Sequence, residues 1–268
     1  MVDSYGKIYN LGHSSIKELL IGECNIEEKV DGSSFSWCVI DGVLSARSKE
    51  QQLDLEKPEK MFSKAVESIQ SIKNLLHPNW TYRGEYLNKV KHNALCYDRV
   101  PNNNIIIFDI QTGKNEFLSY EDKVLHASIA GLEVVPKLYN GPGENINLDL
   151  MQSLLNTTSC LGGAKIEGIV IKNYSKINRD GHTMMGKHVS ENFKEVHNSH
   201  HKSSNNTNKD ILATLGQEYN SLARWQKAIL HAEENGKLTD SPKDIGFLIK
   251  EIQKDIEEEC LEEIKEKL

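Results

Sequence analysis

The stretch "EEKVDGSSFSWCVIDGVLSARSK", residues 27–49, sets the reading of the whole chain. Asp41-Gly42 separates two β-prone runs, and an Asp-Gly pair accepts the positive φ angles that a two-residue hairpin turn demands. Residues 34–49 therefore read as two short antiparallel strands, with Lys29 just ahead of them in "KVDG". Such a lysine has two readings. Held in water it is a surface charge beside a turn; held against a phosphate it can act as a nucleophile.

Working outward, "KPEKMFSKAVESIQSIKNLLHPN" sets Met61, Ala65, Ile69, Ile72 and Leu76 at three- and four-residue steps between Pro58 and Pro78. That spacing predicts a helix of about five turns. Beyond it, "WTYRGEYL", "NIIIFDI", "EVVPKLY" and "EGIVIKNY" are β-prone runs divided by Gly, Asn and Pro. Strands outnumber helices without regular β-α alternation, which points to an α+β domain of largely antiparallel sheets. No repeat of 20 to 50 residues is visible.

The polar run "NSHHKSSNNTN" at 198–208 has no apolar residue and reads as a linker. After it, Ile211, Leu215, Tyr219, Leu222, Gln226 and Ile229 mark one helix, stopped near Gly236. In "DSPKDIGFLIK", Ser241 suits the N-cap, Pro242 the first helical position and Asp244 the third, with Ile245, Leu248, Ile252 and Ile256 as the buried stripe. The expected organisation is thus a domain over 1–197, a linker over 198–208 and a small helical domain over 209–268.

Composition narrows the function classes. The 268 residues carry a formal net charge of −7, which argues against coating nucleic acid by bulk positive charge and leaves a local basic patch open. The acids crowd in "DIEEECLEEIKEKL", so the rest is closer to neutral. Cys24, Cys38, Cys96, Cys160 and Cys260 form no C-x-x-C pair, which fits neither a disulfide framework nor a zinc knuckle. No apolar run approaches the roughly 20 residues that span a bilayer, and the N-terminus lacks a secretory pattern. A cytoplasmic protein with no membrane partner is expected.

A lone K-x-D-G is a weak signal, but here it is followed in order by "SARSK" at 45, "RGEYL" at 83, "IIIFDI" at 105, "EGIVIK" at 167 and "MGKHV" at 185. In that order and spacing, residues 20–196 resemble the covalent nucleotidyltransferases, the ATP-dependent DNA and RNA ligases and mRNA capping enzymes, and most closely the RNA ligase 2-like branch. The resemblance implies the ligase adenylylation fold, with flanking helices on mainly antiparallel sheets.

It also implies roles. Lys29 would attack the α-phosphate of ATP, expel pyrophosphate and keep AMP as a phosphoramide. Since a lysine titrates near about 10.4, this calls for a desolvated pocket or positive charge nearby, from Lys172, Lys187 or a metal. Arg47 would fork onto phosphate or ribose, Glu85 would accept from the ribose, and Phe108 would stack on adenine. Val170 would pack under the base, and Lys172 and Lys187 would face phosphate. Glu28, Val30 and Ser34 complete the nucleotide-binding set. Glu167 would hold Mg²⁺, with Mn²⁺ as a substitute.

The last motif departs from the pattern: Met185 stands where the family has its first lysine, and only Lys187 remains. Either Lys165, His182 or His188 compensates, or ATP binds more weakly than in two-lysine relatives. His182, His188, His197, His200 and His201 lie close together in sequence but lack the partner spacing of a structural zinc site. The resemblance implies a monomeric RNA ligase that joins 5′-phosphate to 3′-hydroxyl ends, RNA being favoured because the tail reads as helical and not as an oligonucleotide-binding barrel. The alternatives are a DNA nick ligase, a capping guanylyltransferase, and a nucleic-acid end-binding protein without chemistry.

Overall fold

The computed structural model describes residues 1–190, 225, 228, 229, 232, 237, 238, 241 and 244–267. Its strands are β1 (Tyr9–Asn10), β2 (Glu23–Lys29), β3 (Ser33–Ile40), β4 (Val43–Ser48), β5 (Gln52–Leu53), β6 (Thr81–Tyr86), β7 (Ile105–Gly113), β8 (Glu116–Phe117), β9 (Glu133–Val134), β10 (Lys137–Pro142), β11 (Gly168–Ile177) and β12 (Thr183–Val189). Its helices are α1 (Ser63–Ser71), α2 (Tyr120–Ile129), α3 (Leu148–Leu155) and α4 (Asp244–Lys267). Two compact units divide it: Met1–Lys7, Asn25–Asn140 and Leu155–Val170 form the first, and Ile8–Cys24, Gly141–Leu154 and Ile171–Leu268 the second.

The first unit is built on a sheet of order β5-β4-β3-β6-β7-β8, antiparallel throughout, with β9 added parallel to β7. The hairpin forms as expected, with Ile40 paired to Val43 and with Asp41 at φ 49° and Gly42 at φ 74°. One face of this sheet, carrying Phe35, Trp37, Tyr82 and Ile107, closes over Ala65 and Ile69 of α1. Phe35, Trp37 and Ile107 are wholly buried, each contributing about 1.5–3 kcal/mol, so this cluster anchors the unit. In the same unit the greater part of β2 lies beside β10.

Several expectations are corrected. The helix after residue 58 is shorter than about five turns: α1 spans 9 residues and gives way to a 3-10 turn at Lys73–Leu75. Ile72 leaves helical geometry (φ −101°, ψ 3°), and Met61 is 48% exposed, so only the middle of the periodic run finds a core to pack on. The run "EVVPKLY" is two strands, because Pro136 has no N–H for the ladder; its carbonyl instead accepts the Glu28 N–H at 3.2 Å. α2 and α3 were not anticipated. Each has a side-chain cap, Ser119 Oγ accepting the Asp122 N–H and Asn147 Oδ1 accepting the Leu150 N–H.

In the second unit β1 pairs parallel with β12, Tyr9 against Gly186, and β12 lies beside β11. The Asn173 amide donates to the carbonyls of Leu19 and Ile21 at 2.9 and 3.0 Å. Ser241 and Asp244 exchange hydrogen bonds at the start of α4, the Ser241 N–H reaching the Asp244 carboxylate. The expected stripe on α4 is narrower than read: Leu248 and Ile252 are buried against Ala228 and Ala232, but Ile245 is 55% exposed. The 198–208 linker, Ile211, Leu215, Tyr219, Leu222, Gln226, Gly236, Pro242 and the side chain of Ile256 lie outside the described residues. Among the described residues no helix is long and apolar enough to cross a membrane.

Candidate active site

Lys29 is the last residue of β2, where the chain leaves the strand to turn into β3. Its Nζ donates to Glu167 Oε2 at 2.8 Å, joining the first motif to the acid that precedes β11. The lysine side chain is 25% exposed and the glutamate 6%. Burial pulls the Lys29 ammonium down, but the carboxylates of Glu167, Glu85 and Asp31 outweigh it and hold the group above the ordinary lysine range. The surroundings of Lys29 within this unit are acidic, which favours its ammonium form.

Glu85 reaches this cluster from β6, opposite Ser34 of β3. Burial, with Glu167 and Asp31 adding and Lys29 opposing, pushes its carboxyl up to about 8. It is mostly protonated at neutral pH and can both donate and accept. The approach of β6 depends on Gly32, where a Cβ would meet Glu85 Cβ and the Tyr86 carbonyl at 3.0 Å. Gly84 is tighter: a Cβ there would lie 2.8 Å from the Ile106 carbonyl, at the register shift between β6 and β7.

Val30 is buried with Leu87, Tyr97, Ile106, Val135 and Leu161, and Phe108 packs partly buried against them. Phe108 meets the Tyr5 ring edge to face at 5.2 Å. Its carbonyl accepts from Lys123 Nζ at 2.8 Å, and the same ammonium reaches Glu27 at 2.6 Å. This ion pair, 2% exposed on each side, ties α2 to β2 two residues before Lys29.

Glu28 points away from solvent: its carboxylate accepts the Ser159 hydroxyl and the Cys160 N–H. Arg47, on β4, donates to the Ser48 carbonyl at 3.1 Å and to the Val2 carbonyl at 3.5 Å. Asp31 accepts N–H groups of Ala94 and Leu95, both at 2.8 Å, which makes it a clamp on the loop after "RGEYL".

Residues 22–189 match the family described as RNA ligase. The chain belongs to the RNA ligase family. Its fold is similar to that of a Naegleria gruberi RNA ligase solved with PPi, at 17% identity and a TM-score of 0.51 over 74% of this chain and 63% of that one. A mutant of the Naegleria enzyme solved with ATP and Mn gives 16% identity and 0.54 over 73% and 58%. An archaeal ATP-dependent RNA ligase gives 16% and 0.53 over 98% of this chain and 66% of that one. The chain thus spans 58–66% of the length of these solved structures. No curated protein matches it by sequence.

Within this family member, the structure brings Lys29, Glu85 and Glu167 into one electrostatic cluster, with Val30 and Phe108 sharing an apolar one. Val170 is buried on β11, 8% exposed. Lys172 is buried and Lys187 half-buried on β11 and β12 in the second unit. Met185 is buried at 3%, and the exposed Lys165 donates to Asn156. The sequence reading missed two supports of the site. The Glu27–Lys123 pair and the Glu28–Ser159 bond join positions 96 and 131 apart in the chain, which no local pattern announces.

Proposed function

We propose that this chain is an ATP-dependent RNA ligase that seals 5′-phosphate to 3′-hydroxyl ends through a lysyl-AMP intermediate. The observation that carries the reading is the 2.8 Å contact of Lys29 with Glu167, within a chain of the RNA ligase family. Lys29 Nζ gives up a proton and forms a P–N bond to the α-phosphate of ATP as the bond to pyrophosphate breaks. AMP then passes to the RNA 5′-phosphate, and the 3′-hydroxyl displaces it to make the phosphodiester.

Each residue has a task in that sequence. Glu167 holds the Lys29 ammonium in place before the nucleotide arrives. Glu85, with a carboxyl able to donate or accept, suits a ribose hydroxyl. Phe108 offers a ring beside an apolar bed for the base. Arg47, Lys172 and Lys187 are assigned to phosphate oxygens, Ser34 to the nucleotide beside Glu85, and Val170 to the base.

A divalent ion fits this site. Glu167 is a buried carboxylate, and Glu85 is a second carboxyl kept protonated chiefly by burial, with Glu167 and Asp31 adding, so oxygen donors stand close together. Among the described residues no group of three or more His, Cys, Asp or Glu side chains is arranged to hold a metal. An ion held mainly by Glu167 would therefore keep water and phosphate ligands, as Mg²⁺ prefers. When bound, it supplies positive charge against the transferring phosphate. We place the reaction in a monomer in the cytoplasm, in keeping with the free thiols of Cys24, Cys38, Cys96 and Cys160.

The test is incubation with Mg²⁺ and α-labelled ATP, then denaturation and mass mapping. AMP on Lys29, lost in Lys29→Ala, is expected; label on another lysine overturns the assignment. Label from GTP alone would indicate a capping enzyme. Faster joining of nicked DNA than of RNA would move the substrate to DNA.

A further inference from the structure

The loop between β6 and β7 is fastened to the nucleophile turn from both sides. The Asp31 carboxylate accepts the N–H groups of Ala94 and Leu95 at 2.8 Å each and Asn93 Nδ2 at 3.3 Å. Asn93 Nδ2 also donates to the Gly32 carbonyl at 2.8 Å, and the Asp31 N–H donates to the Tyr97 hydroxyl at 2.8 Å. His92 completes the set. The Asn88 N–H donates to its Nδ1 at 3.0 Å, so the neutral ring carries its proton on Nε2, which faces Ser33 Oγ at 2.9 Å. Burial and the neighbouring Lys89 charge hold this imidazole below its ordinary range, against the pull of Asp31, so the neutral form is the one present.

Residues 31–33, which follow Lys29 and Val30, are thus tied to residues 92–97. What this anchoring displays is a short basic tip. Lys89 and Lys91 are exposed, and no acid occurs between Asn88 and Tyr97 in a chain of net charge −7. Flexible surface lysines are usually solvated. Here His92 and the residues after it bond the turn that follows the nucleophile, and Tyr86, three residues before Lys89, pairs with Ser33, so the tip is held near that turn by the fold.

We propose that Lys89 and Lys91 form a phosphate-binding tip that grips the backbone of the RNA strand being joined, and that Asp31, Ser33 and His92 hold it against the nucleophile turn. The proposal rests on the RNA-joining reading and names where its substrate lies. Phosphate contacts position a strand without reading its sequence, as sealing of ends of any sequence requires. Each lysine that neutralises a phosphate on single-stranded RNA adds about 0.7 to the magnitude of the slope of log affinity against log salt.

The test is fluorescence anisotropy of a labelled, 5′-phosphorylated single-stranded RNA with the full chain across a salt series. The Lys89→Ala/Lys91→Ala variant should bind more weakly, with a slope shallower by about 1.4. A charge-matched control, Lys57→Ala/Lys60→Ala, replaces two exposed lysines elsewhere and should keep the parental slope. Self-adenylylation of Lys29 should match the parent in both variants. Equal slopes in the tip variant and the parent, equal losses in tip and control variants, or no RNA binding by the parent would each overturn the proposal. Loss of Lys29 labelling in the parent would instead strike the ligase reading, so the two failures are distinguishable.

Discussion

Glu167→Gln keeps the shape of the side chain and removes the charge 2.8 Å from Lys29 Nζ. Coulomb's law at that distance gives about 1.5 kcal/mol with the dielectric of water and about 6 kcal/mol with an effective value of about 20. The lysine side chain is 25% exposed, which sets it between these limits. Loss of that attraction should lower the Lys29 pKa, because Glu167 is the foremost of the charges that hold the ammonium. Burial, which already pulls it down, then faces only Glu85 and Asp31, and the amine should titrate at or below the ordinary lysine range. The assay is acetylation of Lys29 by a limiting amine-reactive ester across pH, read by peptide mass, without metal or nucleotide. A midpoint unchanged or raised in Glu167→Gln would refute the reasoning that this carboxylate stores the nucleophile as an ammonium.

Other outcomes follow from the same geometry. Glu85 ionises near pH 8 in the folded protein against an ordinary value of 4.5, so the folded state holds the extra proton between those values and stability falls as pH rises through that window. Glu85→Gln should match the parent near pH 4.5 and exceed its urea midpoint at pH 8 to 9; a constant difference across pH would contradict this. Removing one partner of the buried Glu27–Lys123 pair, as in Lys123→Met, should destabilise by about 3–5 kcal/mol. The double variant Glu27→Met/Lys123→Met should recover most of that in urea melts, and additive losses would refute the pairing. Gly84→Ala should lower stability by about 1–3 kcal/mol, because its Cβ would meet the Ile106 carbonyl at 2.8 Å; an unchanged thermal midpoint would show that β6 and β7 can separate there.

The readable parts of this protein were those whose physics is local. Asp41-Gly42 dictates a hairpin because the turn angles belong to those two residues, and three of the β-prone runs form strands β6, β7 and β11. The order of short motifs marked Lys29, Glu85 and Glu167 before any coordinates. The strand that carries Lys29 escaped notice, since "NIEEK" puts two acids where a buried strand calls for apolar side chains.

Only the tertiary structure supplies the partners that make those acids tolerable, Lys123 for Glu27 and Ser159 with the Cys160 N–H for Glu28. It also fixes the charge on the nucleophile. Sequence names a lysine and an acid 138 positions apart; their 2.8 Å separation, with Glu85 and Asp31 adding, decides against the pull of burial that the amine waits as an ammonium. Asp31 illustrates the same division, for its chemistry is legible in "KVDG", while its use as a clamp depends on where the chain returns at residues 93–95. The sequence determined which residues hold chemical potential; the fold decided which of them meet, because distance and dielectric are properties of the packed chain.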